Sequence, residues 1–167
     1  DTPNFANVLT ESDYLKARHL LATDRFSQES ERLGQTVILI LAYRCGLRRS
    51  EIKYRLQQDV CTADGLLYVS SNHYYRLKTI NANRRVPASL LLDETEQHIL
   101  HSLSSLAKRE HDDARGRLFN ISDAEFAQLC ARVTEALQAV TQDPSTRLHD
   151  CRHSFATHLT WLAVNRP

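Results

Sequence analysis

The side chains best suited to chemistry on a phosphate sit in two strings. One is Leu148-His149-Asp150-Cys151-Arg152-His153-Ser154-Phe155-Ala156-Thr157-His158-Leu159, and the other, far upstream, is Cys45-Gly46-Leu47-Arg48-Arg49-Ser50-Glu51. Attack on a phosphodiester builds negative charge on its non-bridging oxygens, so catalysis without a metal is mostly positioning plus fixed positive charge. Guanidinium suits this task because it is planar, permanently charged and grips two oxygens at once. Arg48 and Arg152, from different helices, are the expected pair, with Arg49 the neighbouring alternative to Arg48. Glu51 lies three residues after Arg48, on the same face of a helix, where a carboxylate would hold the guanidinium in one rotamer. The plain alternative is an ordinary surface Arg–Glu pair. His149 lies three residues before Arg152 and shares the first turn of the last helix. It can donate to a phosphate oxygen or relay a proton, and a helix N-terminus favours anions by itself.

The elements that must hold these residues read as follows. Residues 1–9 lack periodicity, contain Pro3 and read as the remnant of a linker. Thr10 with Asp13 caps a first helix whose stripe is Tyr14, Leu15, Ala17, Leu20 and Leu21. A second helix runs from about Gln28 to Cys45; its apolar stretch Val37–Ala42 predicts a central core helix, and Gly46 ends it. A short helix follows from Arg49 to Leu56. Three β-rich stretches, Leu66–Ser70, Tyr74–Lys78 and Arg84–Ala88, predict a small antiparallel sheet, with Pro87 at a strand end. Leu91–Lys108 returns to helical spacing and His111–Gly116 is a polar loop. Ser122 with Glu125 opens a helix reaching about Val140, Asp143-Pro144-Ser145 breaks it, and the last helix begins near His149. The class is mainly α with a small antiparallel β-sheet (α+β).

At 167 residues the chain suits one domain with a substantial core. A hydrophobic share of 42% with mixed charge is ordinary globular composition. No run approaches a membrane span and the first residues are no signal peptide, so the expected location is cytoplasmic. Cys45, Cys61, Cys130 and Cys151 show no paired spacing and read as free thiols. The net charge of +1 says little, because a polyanion meets a face and not an average. Cations gather as Arg44, Arg48, Arg49, Lys53 and Arg55, as Lys78, Arg84 and Arg85, and as Arg147, Arg152 and His153. Arg49, Arg84, Arg85 and Arg147 are the candidates to contact a polyanion such as a nucleic acid, against the plain reading that charge runs are solvated faces.

These strings resemble the first and second boxes of the tyrosine recombinases, the phage-integrase family. Gly46-Leu47-Arg48-Arg49-Ser50-Glu51 is similar to that family's Gly-Leu-Arg-x-Ser-Glu, and the stretch from Arg152 to Leu159 to its Arg-His-Ser-Phe-Ala-Thr-His-Leu continuation. Lys78-Thr79 before Arg84-Arg85-Val86-Pro87 resembles its lysine hairpin, with a turn about one residue longer. The resemblance covers nearly the whole chain and implies a DNA breaking–rejoining catalytic-domain fold over residues 10–167. It implies transesterification through a 3′-phosphotyrosyl intermediate on double-stranded DNA, by tetramers that need no metal and no cofactor. Arg48, Lys78, His149 and Arg152 would be catalytic, with Lys78 protonating the leaving 5′-oxygen as general acid. Glu51 and His153 would support them. His153, Ala156 and Thr157 would pack, and His158 and Trp161 would be structural. The family's third box and nucleophilic tyrosine should follow box two, whereas Tyr14, Tyr43, Tyr54, Tyr68, Tyr74 and Tyr75 all precede it. The expectation is a partial catalytic domain without its nucleophile, cut from a longer integrase and inactive alone.

Other readings stand beside this one. A catalytically silent DNA-binding fragment or regulator would use the same arginines for phosphate contacts only. The type IB topoisomerases share the chemistry. A metal site of His149, Cys151 and His153 needs a strand, since alternating positions diverge on a helix. Cys151 as a hydrolase nucleophile and an all-α interaction domain complete the set.

Overall fold

The computed structural model describes residues 8–77, 82–110 and 116–165. Along the described chain the order is α1 (Glu11–Ala22), α2 (Glu29–Cys45), α3 (Arg49–Lys53), a 3-10 turn (Gln57–Asp59), β1 (Leu67–Val69), β2 (Arg84–Val86), α4 (Ala88–Leu91), α5 (Glu94–Glu110), α6 (Asp123–Thr141) and α7 (His149–Val164). This is the mainly α class with a small antiparallel sheet.

The axis of the molecule is α2, against which α1, α5, α6 and α7 all pack. Val37, Ile38, Leu39, Ile40 and Leu41 have no exposed surface, as their unbroken apolar run predicts. Burial of each such aliphatic side chain is worth roughly 1.5–3 kcal/mol. The α1 stripe is narrower than its spacing suggests: Tyr14, Ala17 and Leu21 are buried, while Leu15 and Leu20 face outward. Thr10 Oγ1 accepts the Asp13 N–H at 3.1 Å and Ser122 Oγ that of Glu125 at 3.2 Å, so both expected N-caps form. Leu9, assigned to the linker by sequence, is buried and donates its N–H to Ser154 Oγ at 2.8 Å, so the packed body includes it.

The sheet differs from the three stretches expected. β1 pairs antiparallel with β2 in the register Leu67↔Val86, Tyr68↔Arg85 and Val69↔Arg84. Residues Tyr74 to Leu77 form no strand. Asn72 Oδ1 takes the N–H groups of Tyr74 and Tyr75, and Ser71 Oγ takes that of Leu77, so short polar side chains consume the groups a ladder would need.

Two arginines counted among the surface cations are structural. Arg55 is fully buried: its Nε donates to Glu51 O at 2.7 Å, Nη1 to Asp59 Oδ2 at 3.2 Å and Tyr68 O at 3.0 Å, and Nη2 to Ser70 O at 2.9 Å. It thereby ends α3 early and staples it to β1. Arg44 leaves α2 for the fully buried Glu96 of α5, donating from Nε at 3.1 Å. Arg18 meets the same carboxylate at 3.1 Å, the Tyr14 hydroxyl donates to it, and Glu96 Oε1 also accepts the Asp93 N–H at 2.9 Å. Tyr14 stacks on Tyr43, with the Arg44 guanidinium 4.7 Å above the Tyr14 ring. No helix among the described residues is long and apolar enough to cross a membrane.

Candidate active site

Box one begins where α2 stops, and Gly46 makes it stop. Its φ of 69° is a left-handed conformation that glycine adopts without strain. The Leu47 N–H returns to Leu41 O at 3.1 Å. A Cβ at position 46 would lie 2.1 Å from Phe155 Cδ1, so the ring of Phe155 in α7 rests on bare backbone. This contact, with Leu47 and Cys151 both buried in the core, fixes the start of α3 against the start of α7.

Arg48 does not sit within α3. It is the N-cap, with extended backbone (φ −73°, ψ 155°). The fully buried Glu51 therefore meets its N–H, which donates to Oε1 at 2.8 Å, as in a capping box. The two carboxylate oxygens are also filled by Arg84, Nη1 to Oε2 at 2.8 Å and Nη2 to Oε1 at 2.9 Å. Arg48 Nη1 stays 3.9 Å from Oε2 and its side chain is 47% exposed. Glu51 thus hydrogen-bonds the Arg48 backbone and the Arg84 side chain, while the Arg48 guanidinium stays at ion-pair distance from it. Burial alone would raise the Glu51 carboxyl, but the Arg84 hydrogen bonds, the Arg48 N–H and both positive charges hold it below its ordinary value.

The start of α7 is built by Asp150, whose Oδ2 accepts the Arg147 N–H at 2.8 Å. Asp150 and Cys151 return their own N–H groups to Arg147 O and Leu148 O, each at 3.0 Å. The helix end is therefore partly satisfied by its own chain, and an incoming anion must rely on side chains more than the sequence suggests. Arg152, half-buried, has no hydrogen bond or ion pair among the described residues. Burial lowers its pKa, as do the nearby Arg48 and Arg84 charges, while Glu51 acts in the opposite sense. The guanidinium remains charged and feels the Arg48, Arg84 and Glu51 charges without a direct contact to Glu51 among the described residues.

Arg48, Arg49, Arg147, His149 and Arg152 line a cleft of about 560 Å³ between α3, α6 and α7, whose far wall includes Ala127, Ala131, Thr134 and Glu135. The structure brings Arg48 to the same cleft as His149 and Arg152, which their chemistry and the family resemblance imply and their spacing alone does not. His149 is exposed and stands edge-on to His153, ring centroids 4.6 Å apart. His153 is itself exposed, and so are Ala156 and Thr157. None of these three expected packing positions is buried in the described chain, where the inward side of this part of α7 is formed by Ser154 and Phe155. His158 and Trp161 lie further along α7, with rings stacked at 6.5 Å. Arg49 is exposed, its guanidinium 6.0 Å from the Phe126 ring, and Arg85 lies 5.7 Å over Tyr68. Lys78 lies outside the described residues. The approach to it is pinned beside box one: Tyr75 stacks on Tyr54 at 5.2 Å and its hydroxyl is 3.1 Å from Ser50 Oγ.

Cys151 is buried and burial pushes its thiol well up, away from the exposed rings of His149 and His153. Among the described residues no three His, Cys, Asp or Glu side chains are grouped to share a metal. Sequence reasoning missed the Arg84–Glu51 fork, which joins residues 33 apart. It missed the burial of Arg55 too, although Asp59 four residues on was an available signal.

Fold and cleft together define a mainly helical domain with Arg48, Arg49, Arg147 and Arg152 on one cleft. The phage integrase family model matches residues 7–165, and the chain belongs to that family. Among solved structures it is similar to the crystal structure of XerA recombinase, with 16% identity and a TM-score of 0.67 over 96% of this chain and 51% of that one. The chain thus spans about half the length of that protein, and the likeness is one of fold. A comparison with curated protein sequences finds no match.

Proposed function

We propose that the chain is the arginine-bearing body of a site-specific DNA recombinase or integrase that works by type IB transesterification. The observation that carries this reading is the meeting of Arg48, the cap of α3, and Arg152 of α7 on one cleft that also holds His149. In the proposed reaction a tyrosine phenolate, supplied from outside this chain, attacks the phosphorus of a DNA strand. A phosphotyrosyl bond forms and the bond to the 5′-oxygen breaks, with a proton passing from Lys78 to that oxygen. Arg48 and Arg152 hold the non-bridging oxygens as charge builds, and His149 donates to one of them. A hydroxyl of a second strand then reverses the step and frees the tyrosine. No step needs a metal or a cofactor. Double-stranded DNA is the partner, with Arg49, Arg85 and Arg147 on its backbone, and the complete protein acts as a tetramer on paired sites in the cytoplasm.

The test uses a longer polypeptide that includes the downstream tyrosine, with a nicked duplex to trap the covalent adduct. Arg48→Ala should lower the rate of adduct formation by about 10²–10³-fold while duplex binding changes only a few-fold. Equal loss of binding and cleavage would favour a phosphate-contact role alone. Adduct formation by the present 167 residues would refute the assignment of the nucleophile outside them.

A further inference from the structure

Arg84 and Arg85 are neighbours on one strand with opposite fates. Arg85 is exposed, whereas Arg84 is fixed opposite Val69 by the ladder and spends both terminal nitrogens on Glu51. The question is what Glu51 would do without it. A fully buried carboxylate demands a cation, because an unpaired charge in a low-dielectric interior is costly. Arg48 Nη1 waits 3.9 Å from Oε2, a small side-chain rotation from a hydrogen bond. Among the described residues the Arg48 guanidinium makes no hydrogen bond that would resist the move. A guanidinium turned onto Glu51 would be neutralised there and lost to a phosphate in the cleft.

We propose that Arg84 is a positioning residue: by filling both oxygens of Glu51, it keeps that carboxylate from capturing Arg48 and leaves Arg48 and Arg152 free for a phosphate. The identity of the phosphate rests on the recombinase reading above; the capture of Arg48 does not. The same fork ties β2, the strand that follows Lys78 in the chain, to the helix that opens beside Arg48.

The experiment compares Arg84→Ala with the double variant Arg84→Ala/Glu51→Gln. In this chain the position of Arg48 is read from crystal structures and from its Nε–Hε resonance. In the longer, tyrosine-bearing polypeptide the readout is covalent adduct on nicked DNA. Arg84→Ala should bring Arg48 within hydrogen-bond distance of Glu51 and slow adduct formation by about 10–100-fold, the usual scale for a residue acting through another. Adding Glu51→Gln should recover most of that loss, since the amide oxygen still accepts the Arg48 N–H but has no charge to hold the guanidinium. Because Glu51→Gln also relieves a stranded buried charge, recovery counts for the proposal only together with movement of Arg48: an Arg48 that stays in place in Arg84→Ala, or activity that does not recover in the double variant, overturns it. Circular dichroism verifies folding; if Arg84→Ala fails to fold, Arg84→Lys replaces it. One ammonium cannot fill both oxygens, so intermediate activity is expected, and wild-type activity would refute the idea. If the wild-type polypeptide forms no adduct, the recombinase reading falls, while the Arg48 resonance still decides the capture.

Discussion

Two fully buried glutamates organise arginines in this molecule, and they do it to different ends. Glu96 gathers Arg18 and Arg44, and each arginine also reaches a second acid, Asp93 at 2.8 Å and Glu11 at 3.2 Å. Both arginine side chains are 19% exposed. Charge there is closed upon itself, and three helices are locked by it. At Glu51 a single carboxylate hydrogen-bonds the Arg84 side chain, has the Arg48 guanidinium at 3.9 Å, and acts on Arg152 only through its charge. The second group carries surplus positive charge beside a cleft. An arginine cluster is thus a strut or a receptor depending on how many carboxylates meet it, which no count of cations reveals.

Removing Arg44 gives the sharpest contrast. Arg44→Ala strands part of the buried Glu96 charge and should cost about 3–5 kcal/mol of stability, read by urea unfolding. Arg152→Ala should leave the unfolding midpoint nearly unchanged yet slow adduct formation by about 10²–10³-fold in the tyrosine-bearing polypeptide. Large instability in Arg152→Ala would erase the distinction between strut and receptor. Gly46→Ala tests what aligns the receptor. A Cβ there meets left-handed backbone and the Phe155 ring at once, so a loss of about 2–4 kcal/mol is expected, with a fall in adduct formation under conditions where the variant stays folded.

Acid provides the smallest effect. The Glu51 pKa is lowered by folding from its ordinary 4.5, so its contribution to stability is fully present above that value. It declines as the pH falls below 4.5 and through the folded pKa. The difference in melting temperature between wild type and Glu51→Gln, followed from neutral pH down, isolates this group from the other carboxylates. In Arg84→Ala the loss should begin at higher pH, because burial then opposes ionisation with less compensation.

Much of the receptor was legible because its signals are local. Gly46 after an apolar helix, Arg48 before Ser50-Glu51, and His149 three before Arg152 each carry their meaning within one or two turns. The caps at Thr10 and Ser122 were readable for the same reason. The strut was not: Arg44 and Glu96 are 52 residues apart, and nothing in their flanks distinguishes them from surface charges. Arg55 was hidden likewise, because three of its acceptors are backbone carbonyls, of Glu51, Tyr68 and Ser70. The stretch from Tyr74 to Leu77 misled through composition. Its aromatic residues favour a strand, but Ser71 and Asn72 just before them take the hydrogen bonds first.

The seat of Phe155 on Gly46 bears on how such proteins could be recombined by an engineer. A chimaera that grafts a foreign last helix onto this body inherits a bare patch of backbone that expects a ring. A smaller graft residue would leave a void over Gly46, and a side chain at position 46 would clash with the Phe155 ring of the native helix. The two boxes are therefore best exchanged as one part, although about a hundred residues separate them along the chain.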